Sequence, residues 1–270
     1  MLLLPRSARL AAWGTAVLAD GVDPAQAVNA VTRDDEPHQV TADFEVAATL
    51  GLPPAGSLLD LLVSLQRHGT PSLHVALPAP GDLLGLPGPP AFNEAAVETG
   101  EAVLAGDGVN DPAGPAIGLV AEITEFGSVY EPGAMVAWRA QSVGRRRVTD
   151  IGSVADADRE LRSALAEAVE ELARLDVARW RDDAADRVAA IRDGGLESGM
   201  IPPTTPKRVV QVLSRAARVR AIVELASEDD GAAVTQAEAH RRSQALRRLD
   251  VVSRRAMVAA INGIKEPEDD

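Results

Sequence analysis

The chain of 270 residues contains no cysteine. This absence excludes disulfide bonds, thiolate catalysis and zinc sites built on cysteine ligands. The fold must therefore be stabilised by packing. A chain without cysteine also suits a reducing cytoplasm, which is where we expect this protein to act.

Aromatic residues are scarce, at 3% of the chain. The core must therefore be built mostly from alanine, valine and leucine. Because large rings bury the most apolar surface, we predict that Trp13, Trp138 and Trp180 are packing anchors.

The sequence also lacks a run of about eighteen uninterrupted apolar residues, so no transmembrane helix is expected. The opening segment MLLLPRSARLAAWGTAVLA superficially resembles a secretion signal. However, Arg6 and Arg9 follow the leucine run instead of preceding it, and Pro5 and Gly14 interrupt it. We therefore predict an amphipathic helix from Arg6 to about Ala19.

Proline and glycine are concentrated before residue 150, where 14 of the 18 prolines and 16 of the 22 glycines lie. After Ser153 the sequence has long, arginine-rich helical periodicity. This change predicts an α+β protein with a small, mostly antiparallel sheet and helices on one face in the N-terminal half, and an all-α bundle in the C-terminal half. The predicted regions are 1–150, 151–264 and a disordered tail, 265–270.

Short apolar runs bounded by proline and glycine predict the strands of the N-terminal half. The predicted strands are His38–Thr41, Leu73–Leu77, Glu101–Ala105, Ile117–Thr124 and Ala134–Ala140. Helical spacing and caps predict helices over 6–32 (two short helices), Ser57–Arg67 and Phe92–Thr99.

Capping signals divide the C-terminal half into helices. The first helix begins after Ser153, and a second spans Asp183–Arg192. Thr205-Pro206 starts a long helix that ends near Ala226, and another capping pattern begins at Thr235. Asp250 is predicted to cap a last, separate helix that Gly263 closes.

The net charge of −13 argues against wholesale binding to nucleic acid or anionic membranes. Residues 205–262 differ, because they carry 11 basic and 6 acidic side chains, a local charge of +5. This region predicts either a solvated, salt-bridged helical face or an interaction patch. The patch would comprise Arg208, Arg215, Arg241, Arg242, Arg247, Arg248, Arg254 and Arg255.

The segment Gly106-Asp-Gly-Val-Asn-Asp111 resembles the hinge motif of P-type ATPases. Such pumps also need a phosphorylated aspartate in its own motif and membrane helices, and this sequence offers neither. Glycine, aspartate and asparagine are also the residues that turns require. We therefore interpret Asp107, Asn110 and Asp111 as turn residues.

Asp34, Asp35, Glu36 and His38 form an acidic cluster, and His74 lies in a predicted strand. Imidazole and carboxylate groups suit divalent metals, but an acidic loop is more often a solvated charge run. No helical histidine pair, nucleophile elbow or phosphate-binding loop is present in the sequence. We therefore predict no catalytic constellation, no metal and no cofactor.

Three stretches resemble those of conserved uncharacterised actinobacterial proteins, namely Leu4–Trp13, Gly85–Glu101 and Ile151–Leu175. The resemblance covers most of the chain. It implies no assigned activity, so it supplies no catalytic residue.

These observations favour a non-enzymatic, cytoplasmic interaction or regulatory protein that binds a protein partner or self-associates. Two alternatives stay open. One is a nucleic-acid-associated regulator that uses the basic C-terminal helices. The other is a small-molecule-binding protein or enzyme with a pocket between sheet and bundle.

Overall fold

The computed structural model describes residues 1–106, 116–128, 131–145, 152–174, 182–227 and 236–265. The helices in these residues are α1 (Arg6–Asp20), α2 (Pro24–Thr32), α3 (Phe44–Leu50), α4 (Leu58–Arg67), α5 (Pro90–Thr99), α6 (Val154–Arg174), α7 (Asp182–Asp193), α8 (Lys207–Ser227) and α9 (Gln236–Asn262). The strands are β1 (Gln39–Ala42), β2 (Gly56–Ser57), β3 (Leu73–Ala76), β4 (Ala102–Ala105), β5 (Ile117–Gly127) and β6 (Pro132–Ser142).

The chain forms two compact units, and each includes a short segment from the part of the sequence that otherwise forms the other unit. The sheet unit comprises Pro5–Asp150 and Gly199–Thr204. The helical unit comprises Met1–Leu4, Ile151–Ser198 and Thr205–Asp270.

The six strands form one sheet in the order β2-β1-β6-β5-β4-β3. Neighbouring strands are antiparallel except β1 and β6, which pair in parallel with Val40 opposite Trp138. The α+β class and the mostly antiparallel sheet predicted from the sequence are therefore confirmed. The strands predicted around His38, Leu73, Glu101, Ile117 and Ala134 correspond to β1 and to β3 through β6.

Helices cover both faces of the sheet, so the prediction that they lie on one face is wrong. A side chain at Gly14 of α1 would collide with Leu73 of β3, and the Thr15 hydroxyl donates to the Leu73 carbonyl at 3.0 Å. On the opposite face, Phe92 of α5 packs on Leu104 and Val120. We call these the α1 face and the α5 face.

Helix α1 is buried along Ser7–Val17, so it is not the amphipathic helix that the sequence predicted. Ser7 and Thr15 hydrogen-bond to Glu101 and to the Leu73 carbonyl, which makes the burial of these two hydroxyl groups tolerable. Trp13 and Trp138 are both buried, which confirms their role as packing anchors. The indole nitrogen of Trp13 donates to the Gly199 carbonyl at 3.0 Å.

In the helical unit, α6 and α8 both pack against α9. Their contacts bury side chains such as Leu161, Leu213 and Leu249. The prediction of a separate last helix capped by Asp250 is wrong, because α9 runs without interruption from Gln236 to Asn262. Asp250 lies within α9, where its carboxylate accepts a hydrogen bond from Arg254 Nε at 2.9 Å.

No helix in the described part of the chain is both long enough and apolar enough to cross a membrane. Trp180, Asp107, Asn110 and Asp111 lie outside the described residues. The predictions for their packing or turn roles therefore stay predictions. The predicted tail 265–270 is described only at Lys265.

Candidate functional site

The second half of β5 extends beyond its neighbour β4. Strand β4 pairs with β5 only as far as Leu119, whereas β6 pairs with β5 as far as Gly127. Burial changes along the same strand: Ile117–Ala121 are buried and the next six residues are exposed. We call Glu122–Gly127 the outer segment of β5.

Side chains of the outer segment alternate between the two faces of the sheet, as in any strand. Glu122, Thr124 and Phe126 continue the α5 face, because Val120 of that face packs under α5. Ile123 and Glu125 lie on the α1 face. Each face therefore presents one apolar side chain and one carboxylate.

On the α5 face the exposed strands form an open groove of about 700 Å³. Phe126 and Met135 are its large apolar side chains, and they are 45% and 51% exposed. The lining residues are Glu36, Pro37, Gln39, Glu122, Thr124, Phe126, Met135, Val136 and Ala137. We call this concavity the sheet groove.

Gly133 positions the Phe126 ring at one end of the sheet groove. The two residues lie opposite each other on β5 and β6. A Cβ atom at Gly133 would lie 2.5 Å from the ring carbon Cζ of Phe126. The absence of a side chain at Gly133 thus lets the ring lie against the neighbouring strand while one side stays exposed.

The last residue of the outer segment, Gly127, has a backbone conformation that favours glycine. Gly127 has a φ of 91°, in the left-handed region that other residues rarely adopt. A Cβ at Gly127 would also lie 2.1 Å from the Glu131 carbonyl oxygen. Gly127 lies opposite Pro132 at the end of the same ladder in which Thr124 lies opposite Met135.

The groove is acidic. Glu36 and Glu122 line it, and both are exposed. Arg139 contacts Glu122 at 2.6 Å, in an ion pair whose two side chains are each about half exposed. Exposed pairs of this kind contribute little to stability, so a charged ligand can replace the arginine at low cost.

A buried polar network holds the wall of the groove that contains Glu36 and Pro37. The Asp35 carboxylate accepts two hydrogen bonds from the Arg6 guanidinium, at 2.8 and 2.6 Å. Arg9 approaches the same carboxylate at 3.8 Å. The backbone N–H of Glu36 then donates to the Ala134 carbonyl at 2.9 Å, which attaches the wall to β6.

Protonation in this network follows from burial and partner charge. Burial acts to raise the pKa of Asp35, but the hydrogen bonds from Arg6 and His38 outweigh it and hold that pKa below its usual value. Burial lowers the pKa of Arg9, whereas the Asp35 hydrogen bond raises the pKa of Arg6. Within this network, the Asp35 carboxylate therefore neutralises arginine charge inside the fold.

His38 completes the network and is held by both ring nitrogens. Trp138 Nε1 donates to His38 Nδ1 at 3.1 Å, so Nδ1 is the acceptor. The proton therefore lies on Nε2, which is 3.1 Å from the Asp35 carboxylate. Burial lowers the pKa of His38, so the ring is neutral near pH 7. The His38 side chain is fully buried and both of its nitrogens are occupied, so the ring is not placed to take a proton from a substrate.

A second buried carboxylate, Glu101, caps α1. The backbone N–H and the hydroxyl of Ser7 donate to Glu101 Oε2 at 2.9 and 2.7 Å. Pro5 at the N-cap offers no side-chain oxygen, so the first helical turn takes its acceptor from the residue that precedes β4.

The predicted acidic cluster does not converge on a metal. Asp35 contacts both Arg6 and His38, while Asp34 and Glu36 are exposed. His74 lies on β3, as the sequence predicts, and its Nε2 is 3.0 Å from the Ser72 hydroxyl. Among the described residues, no group of three or more potential ligands is placed to hold a metal ion.

Some of the predicted arginine patch is used inside the helical unit. Arg215 contacts Asp158 on α6, and Arg242 donates to the Ala226 carbonyl at 2.7 Å. Arg254 is only 5% exposed. These side chains stabilise the packing of α6, α8 and α9 on one another.

Only some arginines of the predicted patch are exposed. Arg208, Arg241 and Arg247 are exposed, and Arg255 is half-buried. Arg248 is exposed and forms an ion pair at 2.6 Å with a glutamate of α6. A role for these side chains in nucleic-acid or protein binding stays a prediction.

Sequence reasoning singled out Glu36 but missed the sheet groove and its apolar residues. The strand was predicted to end at Thr124, yet it continues through Phe126 to Gly127. One local signal indicated a longer strand, namely the apolar residue Phe126 after Glu125 in an otherwise polar segment. The paired position of Met135 depends on the hairpin register, which no local pattern specifies.

The chain belongs to the Rv1486c-like protein family. Residues 7–151 match the N-terminal domain of that family, and residues 155–258 match its C-terminal domain. The uncharacterised protein Rv1486c of Mycobacterium tuberculosis is 30% identical over 285 residues, with 96% of both chains covered. The uncharacterised protein ML1804 of Mycobacterium leprae is 29% identical, again with 96% of both chains covered.

These relatives confirm the resemblance to uncharacterised actinobacterial proteins predicted from the sequence. Their names state no activity, so none transfers to this chain. No solved structure matches the chain.

Proposed function

We propose that this member of the Rv1486c-like family is a non-enzymatic interaction protein of the cytoplasm that binds a protein partner in the sheet groove. The observation that carries the proposal is the pair of exposed side chains Phe126 and Met135 beside a groove of about 700 Å³. Water-exposed large apolar side chains grouped around a concavity are typical of interaction sites.

The construction of the groove favours binding over chemistry. Its floor is a pair of long antiparallel strands, and its wall is held by the Asp35 network. The histidine nearest to it, His38, is enclosed behind that wall with both nitrogens occupied. A site built in this way has a fixed shape, apolar contacts and fixed charges, which are the components of recognition.

The test is selection of a random twelve-residue peptide display library on the purified chain. Enriched peptides are then measured against the double variant Phe126→Ser, Met135→Ser. We expect at least about tenfold weaker binding by the double variant, because the two large apolar side chains of the groove are lost.

Phe44→Ser is the matched control. Phe44 is 91% exposed but does not line the groove. Peptides should bind this variant as tightly as the wild-type chain. Failure to enrich any peptide, or equal binding by the double variant, would contradict the proposed function.

A further inference from the structure

We infer that the partner binds as an extended segment that adds a strand to the free edge of β5, and that this segment combines basic and apolar residues. The inference rests on the proposed function, since it names the occupant of the sheet groove and of the edge beside it.

The edge of β5 can accept an added strand because β4 is short. In the described part of the chain, Val120–Gly127 pair with β6 alone. Alternate residues of such a strand direct their N–H and C=O groups away from the sheet. Six of these residues are exposed, and six residues span roughly 20 Å, about the length of an ordinary strand.

The side chains beside this edge define what an added strand should carry. On the α5 face the added strand would lie next to Glu122 and Phe126, and on the α1 face next to Ile123 and Glu125. Opposite charges and apolar pairs across neighbouring strands are favourable, whereas like charges are unfavourable. A ligand therefore needs a basic residue beside each glutamate and an apolar residue beside Ile123 and beside Phe126.

Charge also argues against a second copy of this chain at the same edge. Pairing the outer segment with itself would bring four carboxylates into one two-stranded patch, two from each copy. The whole chain carries a net charge of −13, which adds to the repulsion. A basic segment is instead attracted by both the local and the overall charge.

The test uses a nine-residue peptide in which a single Val-Lys-Thr-Val-Lys block is flanked by two serines at each end, so that only one register satisfies the pattern. In an antiparallel added strand this pattern places lysine beside Glu122 and Glu125, and valine beside Ile123 and Phe126. Amide hydrogen exchange of the chain is then measured with and without the peptide. We expect slower exchange in the outer segment and no binding by the peptide that has glutamate in place of every lysine.

Backbone methylation of the peptide tests strand addition without changing the protein. One peptide carries N-methyl groups at its odd positions and another at its even positions. Only the set of amides facing β5 donates to it, so one methylated peptide should lose binding and the other should retain it. Equal binding by both would overturn the inference.

Charge recognition is tested with the double variant Glu122→Gln, Glu125→Gln, which should bind the peptide about tenfold more weakly at low salt. The control is Glu94→Gln, Glu98→Gln, which removes the same charge from exposed positions on α5. Equal weakening by both pairs would overturn the assigned contacts. Concentration-dependent protection of the outer segment without peptide would overturn the inference in favour of a second copy.

Different results would contradict the proposed function and the inference of strand addition. If neither methylation pattern matters but Phe126→Ser, Met135→Ser removes peptide binding, strand addition is wrong and the proposed function stands. If the double serine variant binds display-selected peptides as the wild type does, the proposed function itself is wrong.

Discussion

Trp138 donates its indole N–H to Nδ1 of His38 at 3.1 Å, across the parallel pairing of β1 with β6. This contact determines which nitrogen of His38 carries the proton, and the Asp35 carboxylate accepts from the other. Protonating the ring would turn Nδ1 into a donor that faces another donor. The folded protein therefore resists protonation of His38.

The stability of the protein should consequently depend on pH through His38. The pKa of His38 is lowered from the ordinary value of 6.5 by burial, so below pH 6.5 the unfolded chain binds a proton that the folded chain does not. The free energy of unfolding should fall as the pH drops from 6.5 towards the folded pKa. Asp35 causes a second decrease in the free energy of unfolding as the pH falls below 3.8, because the pKa of Asp35 in the folded chain also lies below its ordinary value.

Urea unfolding between pH 7.5 and 5 measures this dependence. The His38→Gln variant should lose the part of the slope that lies below pH 6.5. His240→Gln should keep it, because His240 is an exposed residue of α9. Identical slopes for the wild type and His38→Gln would contradict the assignment.

Replacement of Asp35 by asparagine tests the network behind the groove. The Asp35→Asn variant leaves the Arg6 and Arg9 guanidinium groups facing a neutral amide in a largely buried position. We expect a loss of about 3 kcal/mol in the free energy of unfolding, measured in urea. Asp34→Asn is the control, since it removes the same charge from an exposed neighbour and should cost under about 0.5 kcal/mol.

The sequence predicts most individual elements because their signals are local. Ser57 and Asp60 form the capping box that starts α4, and Gly100 follows α5 in the left-handed conformation. The sequence wrongly predicts a helix boundary at Asp250 within α9, because aspartate is a common N-terminal cap. Within the helix its carboxylate instead pairs with Arg254 four residues later.

The candidate site was much less predictable because it depends on long-range pairing. Nothing local indicates that β1 lies parallel to β6, which places His38 beside Trp138. Nor does the sequence show that β4 stops pairing at Leu119 and leaves the rest of β5 with a free edge. The sequence shows Asp35 only as one member of an acidic cluster, and it takes the fold to show that Arg6 occupies its carboxylate.

A close approach between β5 and α5 gives a packing prediction. A Cβ at Gly118 would lie 2.5 Å from the ring of the buried Phe92 and 2.7 Å from Val143 Cγ1. Because overfilling a packed core strains it, Gly118→Ala should lower the free energy of unfolding by about 1–3 kcal/mol. Gly195→Ala is the control: no atom lies within 4 Å of its added Cβ, so thermal unfolding should show little change.

Asp158 gives the corresponding prediction for the helical unit. Its carboxylate contacts Arg162 on α6 and Arg215 on α8, and the residue is only 8% exposed. Asp158→Asn removes the charge that both arginines face. We expect a loss of about 1–3 kcal/mol in the free energy of unfolding, with α6 less firmly attached to α8.

The control for this variant is Glu160→Gln, an exposed position on the same helix that should stay close to the wild type. The double variant Asp158→Asn, Arg215→Gln separates charge pairing from simple packing. If the two side chains act as a pair, the double variant should lose less stability than the sum of the single changes. Strictly additive losses would mean that Asp158 and Arg215 stabilise the unit independently, and the ion pair would not be what joins α6 to α8.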